Sequence, residues 1–136
     1  MHFSKTLEYS ILILSYIAIH NKEKISSALL NETLKIPYKY LTKLITILVK
    51  AGLINSQKGR NGGISLGKPA CEITIALIMN ALDEDLQEGK CILVDGKCDP
   101  KNPCIMHNTW LEPRSLLEKI IHKTTLEDFI LQRTPK

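Results

Sequence analysis

The sequence predicts a mainly α-helical fold with one small β-hairpin, in the order of a winged helix-turn-helix followed by a long C-terminal helix. Three observations predict this fold. Apolar residues recur at helical spacing over three segments of the first 51 residues. Two short apolar runs then flank a glycine-rich turn, which is typical of a hairpin. Helical patterns resume after Pro69, so the strands follow three helices, as they do in a winged helix.

The three N-terminal helices are predicted at residues 4–20, 26–34 and 38–51. The hydroxyl of Ser26 or Ser27 can cap the second helix. Pro37 fits the first turn of the third helix, because its missing N–H costs nothing there. Gly52 fits the position just after that helix, which favours a left-handed residue. The third helix has the clearest amphipathic stripe, formed by Leu41, Leu44, Ile45, Leu48 and Val49.

Turn residues define the elements that follow. Residues 58–63 contain three glycines, which supply the conformations of a tight turn between strands predicted at 53–57 and 64–66. Pro113 is expected to kink or split the long C-terminal helix, because proline lacks a backbone donor. The other elements are predicted as a helix at residues 73–86, a loop at 88–103, and helices at 104–123 and 126–131.

The composition is that of a globular protein, with 44% hydrophobic and 24% charged residues. The length of 136 residues suits one domain with an appended element. The most apolar run, residues 10–19, is shorter than the ~20 residues that cross a bilayer. No small-residue cleavage site follows it, which argues against a signal peptide. We therefore expect a cytoplasmic protein without a membrane partner, in which thiols stay reduced.

Charge is divided unevenly along the chain. Residues 1–70 carry ten Lys and Arg against three Asp and Glu, whereas residues 71–136 carry eight against eleven. A basic first half indicates binding to a polyanion, and the helix-turn-helix pattern makes double-stranded DNA the expected partner. The candidate DNA-contacting side chains lie on the third helix and at the hairpin tip: Lys39, Tyr40, Thr42, Lys43, Lys58 and Arg60.

Three cysteines, Cys91, Cys98 and Cys104, lie within 14 residues of a segment that also contains glycine and proline. In a cytoplasmic chain such a group indicates a metal site, because that compartment disfavours disulfides. His107 follows Cys104 by three residues, so on a helix that begins near Cys104 the two side chains face one site. Thiolates and imidazoles bind both iron–sulfur clusters and zinc, and the spacing does not decide between them.

Several segments together are similar to one known family. The hairpin segment at residues 58–70, KGRNGGISLGKPA, is the most specific, and residues 72–74, EIT, open the next helix as the family does. The three cysteines and the pattern Cys104-x-x-His107-x-x-Trp110 also match. The chain resembles the IscR/NsrR-type bacterial regulators, winged-helix proteins that bind iron–sulfur clusters.

The resemblance implies a homodimeric transcription regulator, expected to be a repressor, that binds a roughly two-fold symmetric DNA operator. It implies a DNA-binding domain at residues 1–86, a cluster-binding loop at 87–104, and a dimerisation helix with a closing helix at 105–136. Cluster supply, nitric oxide or oxidants would then set the DNA affinity. One departure is Lys58, where the family usually has arginine, which suits a narrow minor groove better.

Three cysteines leave one cluster ligand to assign. His107 resembles the IscR-type ligand and favours a [2Fe–2S] cluster. Glu8 resembles the carboxylate that NsrR-type members supply from the partner subunit, and it would favour [4Fe–4S]. We expect His107, because of its offset from Cys104, and therefore [2Fe–2S]. Cys71 lies outside the cysteine segment and is expected to be a small buried residue.

Two other functions remain open on the sequence alone. One is a winged-helix regulator that binds zinc, or responds to oxidants through its thiols, without a cluster. The other is a small iron–sulfur electron carrier, which would not need a basic hairpin. An enzyme with a small-molecule substrate is not expected, because the sequence contains no glycine-rich phosphate loop and no nucleophile elbow.

Overall fold

A computed structural model of the chain describes residues 3–59, 62–84 and 101–133. Its elements are α1 (Lys5–Ile19), α2 (Ser27–Leu34), α3 (Tyr38–Lys50), β1 (Ile54–Gln57), β2 (Gly63–Leu66), a 3₁₀ turn (Ala70–Glu72), α4 (Ile75–Ala81), α5 (His107–Lys123) and α6 (Leu126–Arg133). The predicted fold, mainly α with a small hairpin in winged helix-turn-helix order, is confirmed.

Hydroxyl side chains mark where three of the helices begin. The side-chain oxygens of Ser4, Ser26 and Thr74 each accept a first-turn backbone N–H at 3.1 Å, from Leu7, Leu29 and Leu77 respectively. These bonds satisfy donors that have no partner within the helix. Helix α3 differs, because the residue before it is Pro37 and no side chain caps its first turn. Pro37 therefore precedes the first turn rather than lying in it.

Helix α1 supplies the centre of the core. Its residues Leu7, Ile13, Leu14 and Ile17 are at most 1% exposed. Helix α3 buries its predicted stripe, except for Val49, in the same core. Two left-handed residues turn the chain: Lys35 (φ 60°) after α2 and Gly52 (φ 79°) after α3, as predicted for the glycine. The apolar stripe of α3 thus fixes which of its faces is exposed.

The hairpin is attached to the helices through its second strand. Strands β1 and β2 pair antiparallel, from Ile54 opposite Leu66 to Gln57 opposite Gly63. The N–H of Ile64 also donates to the carbonyl of Ile25, before α2, at 2.8 Å. This bond fixes the base of the hairpin beside the helix-turn-helix. Arg60, at the predicted tip, lies outside the described residues.

The C-terminal helices join the same core. The N–H of Leu126 donates to the carbonyl of Ile73 at 2.7 Å, and the N–H of Ile75 donates to the carbonyl of Thr124 at 3.1 Å. Ile121 and Leu126 are buried in the same hydrophobic core as residues of α1 and α3. The predicted dimerisation segment is therefore packed directly on the helix-turn-helix part of the chain.

Two predicted helix boundaries were wrong. Helix α4 ends at Ala81 rather than at 86, because Asp83 adopts a left-handed conformation (φ 56°) and the N–H of Glu84 donates back to the carbonyl of Met79 at 2.8 Å. Helix α5 begins at His107 rather than at Cys104, because the residues between them form a turn. The helix then runs through Pro113 without being split.

None of the helices in the described part of the chain combines the length and apolar character needed to span a bilayer.

Candidate functional site

The exposed face of α3 carries the predicted DNA-contacting cations. Lys39 and Lys43 are exposed, opposite the buried stripe, and Thr42 lies between them half-buried. The hydroxyl of Thr42 donates to the carbonyl of Lys39 at 3.1 Å, which leaves its oxygen able to accept another bond. We call Lys39, Thr42 and Lys43 the recognition face. It offers two cations and one hydroxyl to a phosphate backbone and to base edges.

Tyr40 lies apart from the recognition face. Its hydroxyl is hydrogen-bonded to the hydroxyl of Thr6, and its ring meets that of Tyr9 in a T-shaped contact with centroids 5.4 Å apart. Both partners belong to α1. The side chain of Tyr40 is therefore half-buried between the two helices.

Tyr38, which the sequence reasoning did not select, is placed for contact with DNA. It is the first residue of α3 and is 55% exposed. In helix-turn-helix proteins the N-terminal residues of the recognition helix contact base edges. Its position in the first turn of the third helix, directly after Pro37 and four residues before Thr42, is the sequence signal that could have identified it.

The hairpin adds a second basic surface. Lys58 is exposed at the end of β1, and Lys24 extends its ammonium to within 3.5 Å of the carbonyl oxygen of Gly59. The flanking segment before α2 thus brings a further cation to the hairpin. Because Arg60 lies outside the described residues, its predicted contact with DNA stays a prediction.

The structure describes two of the four predicted cluster ligands. Cys104 and His107 are both half-buried, and the N–H of His107 donates to the carbonyl of Cys104 at 3.0 Å across one turn. Cys91 and Cys98 lie outside the described residues. Within the ranges that the structure describes, no three potential metal ligands form a group. The predicted ligand set as a whole therefore stays a prediction.

The alternative ligand, Glu8, lies in the first turn of α1. Its side chain is 57% exposed and pairs with Lys5 at 3.2 Å. An exposed pair of this kind contributes little stability, so the carboxylate can exchange Lys5 for another partner. Glu8 is accessible on the surface of its own protomer, as a ligand donated to a second protomer must be.

Cys71 was predicted to be buried, and this prediction was wrong. It lies in the 3₁₀ turn that follows Pro69 and is an exposed free thiol. A short turn at the surface buries none of its three residues, so the average preference of cysteine for the interior has no effect here.

The outer face of α5 carries an exposed apolar stripe. Leu116 and Ile120 are each 55% exposed, and Pro113 is exposed one turn before them. Their spacing of three and four residues puts them on one side of the helix, away from the buried Ile121. Large apolar side chains aligned in this way are typical of a surface that binds another protein.

The α-helical pair α2–α3, the attached hairpin and the exposed cations define a winged-helix DNA-binding transcription regulator. The model of the Rrf2 family, described as an iron-dependent transcriptional regulator, matches residues 3–132. The chain therefore belongs to the Rrf2 family, and the predicted resemblance is confirmed. Relatives in this family are named as transcription regulators, so the protein is not an enzyme.

Individual relatives span nearly the whole chain. A putative helix-turn-helix transcriptional regulator of Aquifex aeolicus is 33% identical over 132 residues, which cover 96% of this chain and 92% of that protein. The regulator NsrR of Halalkalibacterium halodurans is 32% identical over 132 residues, covering 96% and 90%. Regulators named IscR are also among its relatives.

The fold is shared with a solved structure of CymR, described as the global cysteine regulator of B. subtilis. The two superpose with a TM-score of 0.79 at 24% identity, over 98% of this chain and 99% of that one. At this identity the likeness shows the fold alone.

Proposed function

We propose that this chain is a homodimeric repressor whose affinity for DNA is set by an iron–sulfur cluster held by Cys91, Cys98, Cys104 and His107. The observation that carries the proposal is the turn that joins Cys104 to His107 at the start of α5, where a thiol and an imidazole lie three residues apart in the chain. The description of the family as iron-dependent supports it. The finer assignment, [2Fe–2S], follows from His107 as the fourth ligand.

The DNA-binding part of the function rests on the recognition face and the hairpin. Lys39 and Lys43 bind backbone phosphates, and Thr42 with Tyr38 approaches the base edges of the major groove. Lys58 and Arg60 extend the contact into the adjacent minor groove, where the potential is most negative. Tyr40 supports this surface from behind through its contacts with α1.

The homodimer forms through the outer face of α5. A second copy of the stripe formed by Pro113, Leu116 and Ile120 would cover these apolar side chains, which otherwise face water. Two copies of α3 related by a two-fold axis then meet successive major grooves, so a nearly palindromic operator follows from the symmetry.

The chemistry of the residues around His107 fits an anionic cluster. Thiolate and imidazole are the ligands that [2Fe–2S] clusters use in proteins. Arg114 lies on the same face of α5, two turns after His107, and its Nη2 is buried without a hydrogen-bond partner in the described part of the chain. When bound, the cluster would supply a group that oxidants and nitric oxide can modify. Cys104 and His107 would hold it, while the guanidinium of Arg114 also pairs through its Nε with Glu118 at 3.5 Å.

Purification under anaerobic conditions tests the proposal. We expect a coloured protein with two iron and two sulfide per chain, and a DNA affinity that changes when the metal is removed by a chelator. In His107→Ala the visible spectrum should change, whereas His122→Ala, on the same helix, should keep it. His122 is exposed and bonds the carbonyl of Glu118 at 2.7 Å, so it is a matched control. A colourless protein with stoichiometric zinc would overturn the proposal.

A second candidate is a regulator that responds to oxidants through thiols without a cluster. The exposure of Cys71, on the segment that follows the hairpin, favours it. Under this alternative the protein is purified colourless, and its DNA binding is lost on treatment with peroxide. Cys71→Ser would then abolish the response, while under the cluster proposal the response would persist.

A further inference from the structure

The first turn of α1 is bonded to the recognition helix. The hydroxyls of Thr6 and Tyr40 are hydrogen-bonded, and the ring of Tyr9 packs edge-on against that of Tyr40 at an interplanar angle of 75°. Lys5 in turn lies 5.3 Å above the ring of Tyr9. Helix α3 has no side-chain cap at its own N-terminus, so these contacts with α1 fix its first turn from outside.

The same turn of α1 is bonded to the end of α4. The hydroxyl oxygen of Ser4 lies 2.6 and 2.7 Å from the two carboxylate oxygens of Glu84 and donates its proton there. It also accepts the N–H of Leu7 at 3.1 Å, as the cap of α1. One serine thus joins Glu84 to the first turn of α1 by a charge-assisted bond, which is stronger than a bond between neutral groups.

Glu84 is held in place and leads directly into the cysteine segment. Its N–H donates to the carbonyl of Met79 at 2.8 Å, and Asp83 before it is left-handed. The next residues in the chain, 85–100, include Cys91 and Cys98. The bond between Glu84 and Ser4 therefore lies directly before the cysteine segment in the chain.

We propose that the first turn of α1 couples the cysteine segment to the recognition helix, with Tyr40 as a positioning residue for the DNA contacts of Lys39 and Lys43. A change at the cysteine segment would first alter the bond between Ser4 and Glu84. The first turn of α1 would then alter the contact of Thr6 and Tyr9 with Tyr40. The inference rests on the proposed function, because a cluster on the cysteines is the event that would be transmitted. Both contacts lie within six consecutive residues, the cap Ser4 and the first turn of α1 that follows it, so a shift of this turn would reach both.

The test removes the hydrogen bond between Thr6 and Tyr40 by replacing each of the two residues in turn. Tyr40→Phe and Thr6→Val each delete one hydroxyl of the pair and keep the shape of the side chain. Glu84→Ala removes the carboxylate that accepts the hydrogen bond from Ser4. Each full-length variant is titrated with a DNA duplex that the wild-type protein has selected from a random-sequence pool. The titration is done with protein reconstituted with iron and sulfide and with the same protein after chelator treatment. The quantity compared is the ratio of the two dissociation constants.

We expect a ratio of about fivefold or more in the wild type, and a ratio close to one in each variant. The double variant with Tyr40→Phe and Thr6→Val should have the same ratio as either single variant, because all three lack the same hydrogen bond. Tyr16→Phe is the matched control. Tyr16 lies on the same helix and stacks on His20 with ring centroids 4.2 Å apart, so the control should keep the wild-type ratio.

A second measurement does not depend on the cluster. Amide hydrogen exchange in α3 of the metal-free protein should be faster in Glu84→Ala and Thr6→Val than in the wild type, and unchanged in Tyr16→Phe. Suppose that amide exchange in α3 is faster in the variants, but the wild-type protein has the same dissociation constant with and without the cluster. The coupling through α1 is then supported, and the cluster-dependent DNA affinity of the proposed function is wrong. If the variants keep both the wild-type ratio and the wild-type exchange, the coupling is overturned.

Discussion

Tyr38 and Tyr40 lie two positions apart on α3 and face different surroundings. Tyr38 is 55% exposed, whereas Tyr40 is half-buried and bonded to α1. Residues two apart on a helix point ~200° away from each other, so they cannot share a face. Tyr38 lies four residues before Thr42, so its exposed ring is next to the recognition face. An aromatic ring there can pack against the methyl group of a thymine in the major groove.

Replacing Tyr38 by alanine tests this contact. We expect Tyr38→Ala to weaken binding to the selected duplex by about 1 kcal/mol, or about fivefold in Kd. The loss of affinity should depend on the base at one position of each half-site. A base contact depends on the DNA sequence, whereas a phosphate contact does not. Fluorescence anisotropy titrations with duplexes in which deoxyuridine replaces each thymidine in turn would locate that position.

Tyr38→Phe separates the ring from the hydroxyl. If the ring makes the contact, this variant keeps wild-type affinity and remains sensitive to the loss of the thymine methyl group. Uniform weakening across all duplexes in Tyr38→Ala would instead assign the residue to the phosphate backbone.

At the scale of the residue, the sequence predicts exposure well and tertiary contacts poorly. Lys39 and Lys43 were predicted on the exposed face because the apolar stripe of α3 defines its opposite. The position of Tyr40 depends on a hydroxyl and a ring that α1 presents from more than 30 residues away, and no local pattern contains that contact. Cys71 is exposed for a related reason, since the turn after Pro69 decides its environment.

At the scale of the element, boundaries were predicted where a side chain encodes them. Ser4 and Ser26 cap helices that begin one residue later, and Gly52 follows α3 in the left-handed conformation. The ends of α4 and α5 lack such signals. Asp83 ends the turn after α4 although it is not glycine, and no side chain caps α5 at Met106. Periodicity alone therefore extended both helices too far.

Gly52 allows a direct test of a predicted boundary. We expect Gly52→Ala to lower the free energy of unfolding by about 1 kcal/mol, because a φ of 79° brings the Cβ of an L-residue too close to the following carbonyl. Beyond Gly52 itself and its two chain neighbours, no atom lies within 4 Å of the new Cβ, so the cost is one of backbone conformation and not of packing. Urea unfolding at a fixed protein concentration measures it.

A second substitution at Gly52 and one at Gly67 provide the controls. Gly52→Asn should cost less than Gly52→Ala, since asparagine tolerates the left-handed region. Gly67→Ala should cost more, because its Cβ would lie 2.3 Å from the carbonyl oxygen of Gly52. Equal stability of Gly52→Ala and the wild type would show that the turn can adopt another conformation.

At the scale of the whole molecule, the fold class was predictable because each element has its own signal and their order is diagnostic. The cysteine site stays a prediction, because two of its candidate ligands, Cys91 and Cys98, lie outside the described residues. Cys104 and His107 lie three residues apart in one turn of the chain, whereas Glu8 is nearly 100 residues away from them in the sequence. The choice between His107 and Glu8 also depends on a second protomer, which a single sequence does not describe.

The choice between His107 and Glu8 as the fourth ligand can be tested through the oligomeric state, which we expect to depend on the apolar stripe of α5. If Leu116 and Ile120 are covered by a second copy, a charge among them will prevent assembly, because an unpaired buried charge costs several kcal/mol. We expect Leu116→Asp to be monomeric by sedimentation equilibrium and to lose most of its affinity for DNA, since one half-site alone is bound weakly. Ile19→Asp is the matched control: Ile19 is 49% exposed on α1 and should leave the dimer intact.

The monomeric Leu116→Asp variant also distinguishes between His107 and Glu8 as the fourth ligand. Cys104 and His107 belong to one chain and to one turn, so a cluster held by them requires no partner. A carboxylate donated from the partner subunit's α1 would be lost with the dimer. We therefore expect Leu116→Asp, reconstituted with iron and sulfide, to retain the visible spectrum of the wild type, and the combination with His107→Ala to alter it. A spectrum that disappears in Leu116→Asp and persists in Ile19→Asp would transfer the assignment from His107 to Glu8, and with it the expected cluster from [2Fe–2S] to [4Fe–4S].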